Sequence, residues 1–247
     1  MRKSIGNLRV AVKTTPPALT YIAGVLLAFL VAKILYFDGI PEAFPRAYEF
    51  GRLTQNLFEA TIAAYIFFVL SYQLPLVIER QRVGPVIAYL TEYAAAYVTA
   101  FLSLSYRVRT PESLGKALPR DLGSIDTVTR LFESLAPNEL IGAVIDEATG
   151  NNATWLQEMV AREDRSRELI DQVWRYARFI DSDFAKLLSD VQLSEFHDLL
   201  HRVYIPRIAP LANANLGTMA STYCSYYKAA LRLSEYCKKF RKTYKIK

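Results

Sequence analysis

The stretch ALTYIAGVLLAFLVAKILYF, residues 18–37, decides how the rest of the chain is read. It is twenty residues long and carries one charge, Lys33. The hydrocarbon core of a bilayer, about 30 Å thick, is crossed by roughly twenty helical residues, so this run has a spanning length. A cleavable signal sequence competes for it. Such a sequence has an apolar region of about 7–15 residues that ends on small side chains, whereas Ile34, Leu35, Tyr36 and Phe37 close this longer run.

A second run, LFEATIAAYIFFVLSYQLPLVI at residues 57–78, predicts a second span and with it a transmembrane hairpin over residues 18–78. Its acid, Glu59, stands in the first turn, within reach of the interface. Pro75 removes one backbone hydrogen bond and is expected to bend or end the helix. Orientation follows from the loop charges, because Lys and Arg accumulate on the cytoplasmic side. Arg2, Lys3, Arg9 and Lys13 precede the first span, and Arg80, Arg82, Arg107 and Arg109 follow the second, which puts both flanks inside. The short connection sets Asp38, Glu42 and Glu49 against Arg46 and Arg52, and reads as an outward turn. Lys33 then lies on the outer side. Three readings of it stay open: it snorkels to the interface, pairs with Glu59 across the hairpin, or lines an oligomeric pore.

Composition fits a segregated chain. An apolar fraction of 52% and a mean hydropathy of +0.11 are high for a protein in water, yet 22% charged residues is too many for one buried wholly in lipid. The long uncharged runs precede Tyr106, and charge recurs at almost every helical turn beyond it. Of the 30 basic residues, six (Lys238, Lys239, Arg241, Lys242, Lys245 and Lys247) fall in the last ten positions and account for the net charge of +6. Cys224 and Cys237, with no clustered partner, read as reduced structural thiols rather than a disulfide or metal framework.

Residues 83–106 are long enough to span but contain Gly84, Pro85 and Glu92. Val83, Ile87, Leu90, Tyr97 and Phe101 recur on one helical face, with Thr91, Glu92, Ala95 and Thr99 on the other. This predicts a helix on the inner membrane surface or in the first layer of a cytosolic bundle, and residues 79–106 are assigned so; a third span is the alternative. Residues 107–237 form the expected cytosolic helical domain, punctuated by Pro111, Pro119, Pro137, Gly150–Asn152, Pro206 and Pro210. Asn151 or Asn152 is expected to cap a helix running from about Ala153 to Asp190, with Trp155, Met159, Leu169, Val173, Phe179 and Ile180 as core candidates. Ser194, with His197 and Leu199, opens another helix, and a last one starts near Leu216. No strand alternation persists. The fold class is all-α: a two-helix hairpin, a helical bundle, and a basic tail at 238–247.

No Walker loop, GxGxxG, GxSxG or cysteine cluster is present, so neither an enzyme nor a cofactor is expected. The nearest approach to a chemical motif is His197-Asp198-Leu199-Leu200-His201, which holds both histidines and resembles HExxH with Asp for Glu. Two histidines four apart share a helical face, so His197 and His201 are weak metal candidates. The shorter Asp holds its carboxylate back, and no third ligand is identifiable. The competing reading is a solvated face with ion pairs to Arg202 and Glu195. The alternating charges of Glu158 to Glu168 likewise read as a solvated helix surface that could also pair protomers. In the tail, Phe240 and Tyr244 interleave with the cations. Anionic lipid, nucleic acid with aromatic stacking, and a disordered solubilising end all fit that pattern.

The aromatic second span that ends in a proline and runs into basic residues, YIFFVLSYQLPLVIERQR at 65–82, resembles bacterial two-transmembrane effectors of anti-phage systems, notably those associated with retrons. The likeness covers residues 1–105. It implies an abortive-infection effector of the bacterial inner membrane, held inactive by partners, that homo-oligomerises on release and compromises the membrane. In retron systems those partners are a reverse transcriptase and its RNA–DNA product, which would give the basic tail a ligand. The alternative class is a membrane-anchored sensor or adaptor whose helical domain binds a nucleotide signal or a protein. A metalloprotease ranks third.

Overall fold

The computed structural model describes residues 2–37, 47–113, 115–145, 152–204, 215–244 and 246. These are overwhelmingly helical. The chain divides into two compact units, Met1–Arg82 with Thr243–Ile246, and Val83–Lys242 with Lys247.

The first unit begins with α1 (Arg2–Thr14) and α2 (Pro17–Ala32). Pro17 opens α2 at the position where a missing N–H costs nothing. The helix continues as one π turn over Lys33–Phe37. After residues 38–46, which lie outside the described set together with the Asp38, Glu42 and Arg46 of the expected outward turn, come α3 (Ala47–Phe68), a second π turn (Val69–Gln73) and α4 (Leu74–Arg109). Two helices, Pro17–Tyr36 and Glu49–Arg109, are long and apolar enough to cross a membrane, with mean hydropathies of 2.2 and 1.8. α2 packs on α3. Phe29 meets Phe58 edge-on at 5.5 Å, and the Thr20 and Tyr65 hydroxyls share a hydrogen bond of 3.2 Å. α1 lies against the π turn Val69–Gln73, and Gln81 Nε2 donates to Asn7 Oδ1 at 3.1 Å.

Pro75 neither ends the helix nor stops it at the expected exit. The π turn immediately before it widens the backbone, and the Leu74 N–H reaches the carbonyl of Val69, five residues back. A π turn relieves the clash that a proline ring makes with the preceding turn. Pro85 is carried inside α4 in the same continuous helix.

The second unit is built around the later part of α4. Ile87, Ala88, Ala94, Ala95, Val98, Phe101 and Leu102 are buried there, and so is Thr91, which the periodicity assigned to a polar face. Its hydroxyl turns back to the Ile87 carbonyl at 2.7 Å, which removes the need for water. Phe101 sits at the centre of an aromatic cluster, 6.0 Å from Phe132, 6.1 Å from Trp155 and 5.7 Å from Tyr223. Phe132 belongs to α5 (Ile125–Glu133), which Ser124 caps by accepting from the Thr127 N–H. A glycine at 123 lets the Tyr227 ring come within 2.3 Å of where a Cβ would stand.

The chain then forms a feature that the sequence reading missed, an antiparallel strand pair of β1 (Leu140–Ile145) and β2 (Asn152–Thr154). LIGAVI is a continuous apolar run, and such a run shows no alternation to identify it. Asn152 therefore lies in a strand, and Asn151 lies outside the described residues. The cap of α6 (Trp155–Trp174) is Thr154 in a capping box: the Gln157 N–H donates to Thr154 Oγ1 at 3.2 Å, and the Thr154 N–H donates to Gln157 Oε1 at 2.8 Å. The helix expected to reach Asp190 stops at Trp174. A 3₁₀ turn at Ala177–Phe179 follows, and Asp181 then accepts from the Phe184 N–H at 2.9 Å to start α7 (Ser182–Gln192). Of the core candidates, Trp155, Met159, Val173, Phe179 and Ile180 are buried, and Leu169 is half-buried. α8 spans Glu195–Tyr204, with Ser194 Oγ accepting from the Phe196 N–H. A 3₁₀ turn at Leu216–Met219 leads into α9 (Ala220–Tyr244).

Replacing Phe101 by Ala empties the centre of the aromatic cluster and is expected to cost about 3–5 kcal/mol. Leu193→Ala, at a side chain 78% exposed, should stay within about 0.5 kcal/mol. Denaturant unfolding of the purified chain in detergent, followed by aromatic fluorescence, compares the two.

Candidate functional site

The helix face expected to be solvated and ion-paired with Glu195 and Arg202 is in part buried, and His197 bonds elsewhere. α8 presents His197 and His201 one turn apart, their rings 4.2 Å between centroids. α6 packs on α8 and brings Glu163 to them. The His197 Nδ1–H donates to Glu163 Oε1 at 2.7 Å, and Nε2 of the same ring accepts from the Arg167 guanidinium. That pair of bonds suits a neutral imidazole protonated on Nδ1. One donor atom each from Glu163, His197 and His201 lies within 4.8 Å of the others. Asp198 and His201 are exposed, Glu195 faces solvent, and the Arg202 side chain falls outside the described residues.

Glu163 is the residue that sequence reasoning missed. The charged run from Glu158 to Glu168 was expected to be solvated, but Glu163 is only 4% exposed and Ser166 is fully buried. The signal was available in the spacing: Trp155, Met159, Glu163, Ser166, Ile170 and Val173 follow one another at intervals of three and four, the register of a buried helical face. Ser166 satisfies its burial by donating to the Ala94 carbonyl at 3.0 Å. Glu163 does so only in part, since Oε2 is buried without a hydrogen-bond partner among the described residues.

Burial pushes the Glu163 carboxyl up to about 7, and the neighbouring Asp164 charge pushes the same way. Burial, then the Arg167 charge, holds His197 below its ordinary value. A carboxyl raised and an imidazole lowered in hydrogen-bond contact make a pair that can take up or release a proton near neutrality. No nucleophile with an attendant base accompanies it among the described residues.

In the first unit, Lys33 and Glu59 are brought together through a residue between them. Lys33 Nζ donates to Gln55 Oε1 at 2.6 Å, and Gln55 Nε2 donates to Glu59 Oε1 at 2.7 Å. Gln55 precedes Glu59 by four, the spacing at which helical side chains meet. The basic tail is not a free end as far as Tyr244. Lys238, Lys239 and Lys242 are exposed on α9, and Arg241 pairs with Glu92 at 3.0 Å. Lys245 and Lys247 lie outside the described residues. Phe240 and Tyr244 are buried, at 2% and 5% exposure, so neither ring offers a face to a nucleic-acid base. Arg80 donates to the Tyr244 hydroxyl at 2.7 Å.

Comparison of the whole chain with protein-family models, with curated proteins and with solved structures finds no match.

The Glu163 shift has a measurable sign. Its folded value, about 7, lies above the ordinary 4.5, so its contribution favours the folded state at low pH and is lost as pH rises from about 4.5 to 7. Glu163→Gln lacks this loss and should gain about 1–3 kcal/mol relative to the parent across that window. Loss of stability below about pH 6.5 from protonating His197 is common to both proteins. Melting temperatures of the pair between pH 5 and pH 7.5 give the difference, and a difference that stays flat would contradict the buried, protonated carboxyl.

Proposed function

We propose that this chain is an integral protein of a bacterial inner membrane that acts on the membrane itself, as a homo-oligomeric effector that permeabilises it. The observation that carries the reading is the outward display of large apolar side chains along the two candidate spans. Tyr21, Leu35, Leu53, Leu57 and Phe67 are each more than half exposed. Water tolerates single exposed apolar residues but not a surface made of them, and lipid is the solvent that such a surface suits. Continuous helix is also the form that satisfies the backbone in hydrocarbon, and the π turn at Val69–Gln73 keeps it continuous through Pro75.

On this reading α2 with its π turn makes the first crossing and α3 the second, with both flanks cytoplasmic as the basic residues direct. The second unit is the cytosolic domain. Its share of α4 carries buried Ile87, Ala94, Val98 and Leu102, which supports a bundle helix rather than a third span. Two helices cannot enclose water, so permeation requires several protomers, and the Lys33–Gln55–Glu59 chain is the polar material that would line it. The resemblance to retron-associated effectors supplies the restraint: a reverse transcriptase with its RNA–DNA product, held in part by the exposed cations of α9.

A second reading, a membrane-anchored sensor, is favoured by an open groove of about 700 Å³ between α7, α8 and α9, with Ser189, Asp190, Ser194, Ser225, Lys228 and Arg232 in its wall. Its size suits a small ligand.

Inducing the full-length chain alone is expected to depolarise the inner membrane and arrest growth, and a version lacking residues 18–78 to do neither. A full-length protein that inserts at normal levels and leaves the potential unchanged refutes the effector reading and puts the sensor ahead. Charge reversal at Lys228 and Arg232 then becomes the next comparison.

A further inference from the structure

We propose that Glu163, His197 and His201 form a binding site for a zinc-type divalent ion, clamping α8 to α6 and leaving one coordination position open on the solvent side of His201. The donor set is two imidazole nitrogens and a carboxylate oxygen, which suits zinc and its first-row neighbours and not magnesium or calcium, whose ligands are oxygens. Ligands held about 2.0–2.2 Å from a tetrahedral ion stand roughly 3.3 Å apart. The three donor atoms lie within 4.8 Å of one another, and Glu163 Oε1 is already 2.7 Å from His197 Nδ1. Side-chain rotation closes the remainder, and His201, at the exposed end of the group, has the room to rotate.

A further observation points to an ion. Glu163 Oε2 is buried without a hydrogen-bond partner among the described residues, a costly arrangement for a carboxylate unless something else bonds it. Glu163, Asp164 and Asp198 are the acids acting on this cluster and Arg167 is the opposing base, a balance that favours a dication. Arg167 and the ion compete for the same ring. An ion bound through Nδ1, beside Glu163 Oε1, leaves the ring proton on Nε2, which can then no longer accept from the guanidinium.

The test uses the full-length chain in detergent, free of any histidine tag and stripped with a chelator, then titrated with Zn²⁺ alone against a chromophoric indicator. One ion per chain is expected, with a rise in melting temperature on binding and no competition from millimolar Mg²⁺. Glu163→Gln and His201→Ala should each weaken binding about 100-fold or more, and Arg167→Ala should tighten it about tenfold by removing the competing cation. His201→Ala changes an exposed side chain and so keeps the fold, which circular dichroism verifies; if Glu163→Gln unfolds, that variant decides alone. Absence of stoichiometric binding, or binding that His201→Ala leaves unchanged, overturns the site.

Discussion

The second unit depends on one stretch of helix whose side chains are small enough for others to touch its backbone. Along α4, Ala88, Ala94 and Ala95 are buried beside Val98, and three neighbours reach the carbonyls they leave accessible. Tyr223 donates to Val98 at 2.6 Å, Ser166 to Ala94 at 3.0 Å and Cys237 to Ala88 at 3.6 Å. Each of these donors is buried, and each would cost on the order of 1–3 kcal/mol if left without a partner. The bonds set α6 and α9 against α4, and the Phe101 ring adds α5. α7 is held at one remove, through Phe184 against Phe240 at 5.3 Å.

The first unit follows a different rule. Its large side chains point outward, so packing between α2 and α3 rests on a few contacts, Phe29 with Phe58 and Thr20 with Tyr65. Its order comes instead from backbone hydrogen bonds, which are satisfied inside each helix whatever surrounds it. That is why a proline at 75 is met by a π turn and not by a break: an interrupted ladder would leave polar groups bare.

What the residues disclosed in advance depended on how local the determining physics was. The two apolar runs were legible because length and composition carry them, and α8 and α9 because Ser194 and the spacing of their apolar residues are local. The π turns were not legible, since a single extra residue in a turn leaves no periodic trace. The strand pair was hidden because LIGAVI reads equally as helix core, and α6 started two residues after the expected start at Ala153 because Thr154 and Gln157 act as a pair. In the site, His197 and His201 were visible at four-residue spacing. Glu163 was not, because charged neighbours at 158, 162, 164, 165, 167 and 168 mask a position whose burial is set by α8, more than thirty residues away.

The thiols carry a practical consequence. The chain has two cysteines, and both are free and buried. Cys237 is sealed between Ala88 and Glu92, and burial pushes its thiol up to about 12; Cys224 donates to the Gly123 carbonyl at 3.3 Å. Thiolate is the species that alkylating reagents attack, so the native protein is nearly silent toward maleimides. It is a ready-made background for site-directed labelling, in which a single cysteine introduced along either apolar helix would report its own depth without the native thiols first being removed.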